Sequence, residues 1–166
     1  MGLDAVVFCD CVENGNLPVP HPYPRLLYAG NGSPEIRPRD PVKVDEHDKW
    51  MNLPPCEHEA MMLDGCHLGN AGSISHLYEI LSWVTTGHGR TYPVLLGKVV
   101  YDGTHTGDQL TIRDVRRLSA ELDRLKETIP SASALPGEDA RRVALAIREL
   151  KRLVKTALAV NKPIAF

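Results

Sequence analysis

Two short pairs carry the sharpest chemical signal in this sequence: Cys9-Asp10-Cys11 and Cys56-Glu57-His58. Residues i and i+2 of an extended chain point the same way, so each pair can present two soft donors from one side. Two such pairs brought together make a Cys₃His set, one of the standard tetrahedral zinc arrangements. The C-x-C and C-x-H spacings are tighter than the common C-x₂-C knuckle, and Pro54-Pro55 stiffens the loop that carries the second pair. Cys66-His67 follows closely and offers a replacement or an additional ligand. The competing reading is that Cys9 ends a core strand while Cys56 and Cys66 are simply packed, since cysteine often behaves as a small buried hydrophobe. Four protein ligands would close the site and make the metal structural. Without His58 a water position opens, and Glu57 or Glu59 then becomes a candidate base.

Two enzyme templates fail on inspection. His58-Glu59-Ala60-Met61-Met62 starts like H-E-x-x-H but has Met62 where the second histidine belongs. Pro55-Cys56 matches half of a zinc-deaminase signature, yet position 59 is Glu and no H-x-E precedes it. A third feature is the polar run 102–108, in which His105 and Asp108 can pair for acid–base work. The plainer account is a glycine-bearing turn whose Thr and Asp residues bond their own backbone. The glycines of 65–73 read as a tight turn opening a helix, without a phosphate-binding context. Arg148, Arg152 and Lys155 form a stripe on the last helix, which is either solvated or meets an acidic partner. His21, His47, His76 and His88 are scattered and receive no role.

The elements that must position these groups follow from punctuation and periodicity. The chain has 166 residues, 43% hydrophobic and 24% charged, enough for one domain, 1–166, with a real core. No apolar run is long enough to span a membrane, and MGLDAVVFCD is not a secretory signal, which points to a cytoplasmic protein with reduced thiols. Aromatics make up only 5%, and the sequence pI is about 6.4, so nucleic-acid binding is disfavoured. Charge is uneven: residues 1–110 hold 7 basic and 14 acidic side chains, while 111–166 hold 12 and 7. That polarity can steer a charged partner.

Residues 3–9 read as a buried strand. Nine of the thirteen prolines precede residue 56, so 14–41 reads as proline-rich loop with one edge strand at 25–28. Helices are expected over 42–51 and 73–86, the second capped by Asn70 or Ser73. Residues 94–101 read as a second buried strand. A further helix starts at Thr111-x-x-Asp114, with Val115, Leu118, Leu122 and Leu125 inward. After a linker, the last helix turns Val143, Ile147, Leu150, Val154 and Leu158 to the core, and the tail 161–166 docks on the body. The sum is an α/β or α+β fold: a small sheet of two to four strands packed by three to four helices.

The chain also resembles a group of small bacterial proteins whose activity is not established. The likeness rests on the opening 1–4 with Cys9-Asp10-Cys11, on Cys56-Glu57-His58-Glu59, on Lys98–Tyr101 with Gly103, His105, Gly107 and Asp108, and on the ending Lys162-Pro163-Ile164 with Phe166. The resemblance implies a bacterial cytosolic protein and transfers no catalytic residue. By analogy of size it suggests an interaction or immunity partner. Two functions are therefore expected to compete. One is a non-enzymatic, zinc-stabilised binding protein with a protein partner, for instance an immunity-type partner of a bacterial toxin. The other is a metal-dependent hydrolase with an open Cys/His zinc site, in which His58, Glu59 or His105 moves the proton.

Overall fold

Strict alternation builds the first strand. In β1 (Gly2–Phe8), Leu3, Ala5 and Val7 are buried while Asp4, Val6 and Phe8 are not. The same parity continues past the strand end to Cys9 and Cys11, which are buried as well. This structure, a computed structural model, describes residues 2–30, 33–37, 40–86, 91–101, 108–128 and 135–166. Among the described residues the fold is α+β. A four-stranded antiparallel sheet runs in the order β4-β1-β6-β5, with β4 at Met62–Asn70, β5 at Gln109–Leu110 and β6 at Ile164–Ala165. Helices α2 (Ala71–Thr86), α3 (Ile112–Thr128) and α4 (Gly137–Ala159) supply most of the remaining core. No helix among the described residues is long and apolar enough to cross a membrane.

The helices follow their predicted stripes. Val115, Leu118, Leu122 and Leu125 of α3 are fully buried, as are Val143, Leu150 and Leu153 of α4, while Ile147 and Leu158 are half-buried against the same core. Asn70 is the cap of α2, its side chain accepting from the Ser73 amide at 2.9 Å. At the start of α3 the Thr111 hydroxyl accepts from the Asp114 amide at 3.2 Å and donates to the Asp114 carboxylate at 2.9 Å. Burial alone would raise the Asp114 carboxyl, but this bond and one from Lys98 Nζ at 2.9 Å outweigh it and hold the group below its usual range. The C-terminal tail does more than dock. Its two-residue strand β6 sits between β1 and β5, with Ile164 fully buried.

Two sequence expectations change. Residues 94–101 do not form a strand: Leu95–Val99 is a widened helical turn. Pro93 begins it, and the buried Glu121 carboxylate accepts the amides of Val94 and Leu95 at 3.1 and 2.8 Å, taking up donors a strand would have spent on a neighbour. In exchange, β4 appears where a glycine turn was expected. It is an edge strand of mixed burial carrying Gly65 and Gly69, so it shows no apolar alternation to read. Gly69 has φ +140°, and a Cβ there would lie 2.9 Å from the Ser73 side chain, at a register shift opposite Leu3/Asp4.

The proline-rich stretch is more than loop. It contains a hairpin, β2 (Leu27–Gly30) with β3 (Ser33–Ile36), and it is pinned to helix α1 (Pro41–Met51). Trp50 Nε1 donates to the Val19 carbonyl at 3.0 Å, and the buried rings of His21 and His47 meet Nε2 to Nδ1 at 3.0 Å. The Tyr23 amide donates to His21 Nδ1 at 2.9 Å, so the His21 proton sits on Nε2 and is donated to His47. Tyr23 in turn donates its hydroxyl to the Glu46 carboxylate. Burial, reinforced by the facing His47 ring, lowers the His21 pKa. The unfolded chain takes up that proton near pH 6.5 and the folded one does not, so this pair stabilises fully above that pH and less as pH falls through it.

Two measurements check these assignments. An NMR titration should place the His21 midpoint below that of a histidine in a free peptide, and an equal or higher midpoint contradicts the buried neutral pair. Ile164→Ala should lower the unfolding free energy in urea by about 3 kcal/mol, the cost of a cavity in a packed core. A loss under ~1 kcal/mol would place the tail outside the core.

Candidate metal centre

The two ligand pairs flank two strands that pair with each other. β1 and β4 run antiparallel with Phe8 opposite Met62, so the chain just after β1 and the chain just before β4 emerge at the same end of the sheet. Cys9 and Cys11 lie on the first, Cys56 and His58 on the second. A bond from the Cys9 amide to the Met61 carbonyl, 2.8 Å, closes the ladder beyond the strands. Between them the chain reverses through a single helical turn, Glu59–Met61, in which Ala60 and Met61 have φ of 49° and 58°. Two successive non-glycine residues in the left-handed region carry strain of roughly 1 kcal/mol or more each. The turn is held by the bond from the Met61 amide to the His58 carbonyl, 3.1 Å, and by burial of the Met61 side chain.

The four donors converge. Cys9 Sγ lies 3.7 Å from Cys56 Sγ, Cys11 Sγ 3.4 Å from His58 Nδ1, and Cys56 Sγ 3.7 Å from the same nitrogen. All four atoms lie within 4.8 Å of one another, an arrangement able to hold one metal ion. Cys9, Cys11 and Cys56 are buried and His58 is half-exposed. Behind the thiols stands a small second core of Trp50 and Met61, edged by Val19, Met51 and Leu63. Burial pushes the Cys11 thiol up to about 12, with Cys9 and Cys56 adding to it, and burial raises Cys9 too, where Cys56 adds and Cys11 opposes. Burial thus disfavours the thiolate form of Cys9 and Cys11, the form a metal ion would require.

One side of the cluster is open. A cleft of about 550 Å³ reaches Cys11 and His58, two of the four donors, and is walled by Asp10, Asn16, Leu17, Pro18 and Glu57. Sequence reasoning left Asp10, Asn16, Leu17 and Pro18 without a role. The available signal was that Asp10 and Glu57 are the middle residues of the two pairs.

The other sequence candidates lie elsewhere. Cys66 and His67 sit within β4, opposite Ala5 and Asp4, and stand outside the four-donor cluster. His67 Nδ1 meets the Asp4 carboxylate at 2.8 Å, and burial raises the Cys66 thiol to about 11. Glu59 is exposed and does not line the cleft. Asp108 accepts the Tyr101 hydroxyl at 2.8 Å, and its carbonyl takes the Phe166 amide at 3.0 Å. His105 lies outside the described residues, as does His88. His21 and His47, scattered in the sequence, meet each other, and His76 Nε2 meets the Asp139 carboxylate at 2.9 Å. Of the α4 stripe, Arg152 is not free: it pairs with Asp64 and donates to the Gly65 carbonyl at 2.9 Å, tying α4 to β4.

Compared with known proteins, the chain matches no family model, no curated protein and no solved structure. The roles assigned below therefore rest on this chain's own residues.

Proposed function

We propose that Cys9, Cys11, Cys56 and His58 hold one zinc ion and that the protein is a non-enzymatic binding protein stabilised by it. The observation that carries this is the convergence of four soft or borderline donors within 4.8 Å. A tetrahedron with thiolate arms of about 2.3 Å has edges of about 3.8 Å, and imidazole arms near 2.0 Å shorten them slightly. Three of the six donor separations, 3.4, 3.7 and 3.7 Å, match those edges. Three sulfurs and one nitrogen suit zinc better than the oxygen-seeking ions.

A closed set of four protein ligands leaves no position for a reacting water, and this favours a structural ion over a catalytic one. The hydrolase reading needs an open position with a base beside it; Glu57 lines the cleft and Glu59 does not, but with His58 among the four donors no position is open. A binding role also has a surface to act through, since Trp83 on α2 is 59% exposed. An immunity-type partner of a bacterial toxin is one concrete form of this reading. It would be a cytosolic protein whose work is to occupy another protein.

Protein purified without added metal should contain about one zinc per chain by elemental analysis. Cys56→Ser should remove it, and Cys66→Ser should retain it. A strong chelator should lower the melting temperature by several degrees, because metal affinity appears as folding stability. Metal-free protein that melts where the zinc form does would refute the structural role. For the binding role, tagged protein expressed in its native host should co-purify one protein at fixed stoichiometry, and Trp83→Ala should weaken that capture. Turnover of a hydrolysable substrate, abolished by Glu59→Ala, would overturn it.

A further inference from the structure

The cleft divides the four donors unequally. It touches Cys11 and His58, while Cys9 and Cys56 are not among its lining residues and belong, with Cys11, to the small core that also holds Trp50 and Met61. An ion held by the four would thus be shielded along the Cys9–Cys56 edge and approachable along the Cys11–His58 edge. The cleft is large enough for a multi-atom ligand, and Asp10 and Glu57 stand in its walls. Neither carboxylate has an ion pair among the described residues. Around a dication, three thiolates already leave one net negative charge, and these two acids deepen the negative field where an incoming group must pass.

We propose that this cleft is the exchange port of the metal centre: the ion is transferred by a ligand that enters the cleft and attacks across the Cys11–His58 edge, and the two acids select neutral or cationic nitrogen and sulfur donors over anionic ones. The inference rests on the zinc reading above. In the first step a donor atom of the incoming ligand forms a bond to zinc and the zinc–Nδ1 bond of His58 breaks. The electron pair stays on the imidazole nitrogen, and no proton or electron is transferred. His58 leaves first because it is the neutral donor and the half-exposed one, whereas the thiolates are buried and bound by charge. The three thiolates follow as the ligand takes the ion, each accepting one proton from water. The strands stay paired throughout, so release does not wait for unfolding.

The test uses the zinc-loaded full chain and two chelators of different charge, neutral 1,10-phenanthroline and anionic EDTA, with zinc transfer followed in time. The rate should rise with phenanthroline concentration. Asp10→Asn/Glu57→Gln, near-isosteric and neutral, should speed transfer to EDTA by about tenfold while changing transfer to phenanthroline less than about twofold. Raising the salt concentration should shrink that contrast. Glu57→Gln alone, at an exposed position, should give an intermediate effect and serves if the double variant folds poorly. A transfer rate independent of chelator concentration and equal to the unfolding rate overturns the port while leaving the zinc site standing. Equal acceleration for both chelators overturns the electrostatic selection. Protein that binds no zinc at all overturns the zinc reading and this inference with it.

Discussion

The antiparallel pairing of β1 with β4 is the constraint on which the four-donor cluster depends. Cys9 and Cys56 are 47 residues apart, and nothing local brings them together. The register does so: with Phe8 opposite Met62, the ligand pairs on either side of the ladder must emerge side by side. A one-residue slip would turn every side chain of β1 to the other face, taking Leu3, Ala5 and Val7 out of the core and the cysteine parity with them. The pattern that buries the strand therefore also aims the sulfurs. The left-handed turn at Ala60 and Met61 is the local cost of fitting the second pair into that frame.

The molecule has two cores of different character. The main one is hydrocarbon, contributed by β1, the three long helices, the wide turn at 95–99 and β6. The smaller one has five buried apolar residues, three of which are cysteines. Thiols offer little apolar area, and the segments that carry them are largely irregular. Hydrophobic burial alone would hold such a region weakly. A metal ion held by the four donors would change the balance, because coordination would cross-link both segments at one point. The His21–His47–Trp50 stack closes the same region from the proline-rich side through the bond from Trp50 to Val19.

Much of this was legible in the sequence where periodicity was strong. The buried faces of α3 and α4, the alternating β1 and the capped starts of α2 and α3 all follow from spacing and end signals, and so does the pairing of C-x-C with C-x-H as one donor set. What escaped was what depends on distant partners. Val94–Tyr101 has the composition of a strand, but the Glu121 carboxylate, on another helix, satisfies its leading amides and permits a helical turn. Residues 62–70 lack alternation because an edge strand is half-exposed on both faces, and only its partner β1 makes it a strand. The meeting of His21 with His47 depends on how the proline-rich chain folds back on α1, which no short-range pattern encodes.

Charge asymmetry, seen in the sequence as an acidic front and a basic back, is answered in part by tertiary pairing. Arg152 of α4 pairs with Asp64 of β4, Lys162 beside β6 pairs with Glu13 in the turn after Cys11, and Lys151 meets Asp123 on α3 at 2.6 Å. Two of these three link the basic C-terminal segment to the acidic N-terminal one, and both end close to the β1–β4 frame. The asymmetry is thus in part the imprint of tertiary pairing rather than a field directed at solvent. Asp10 and Glu57 differ because they face a cleft and no basic side chain among the described residues pairs with them. Acids in the wall of a cleft that reaches Cys11 and His58 favour the approach of a cation along that edge. The middle positions of the two ligand pairs thus set the charge of the one open side of the cluster, while the ligands they separate face one another.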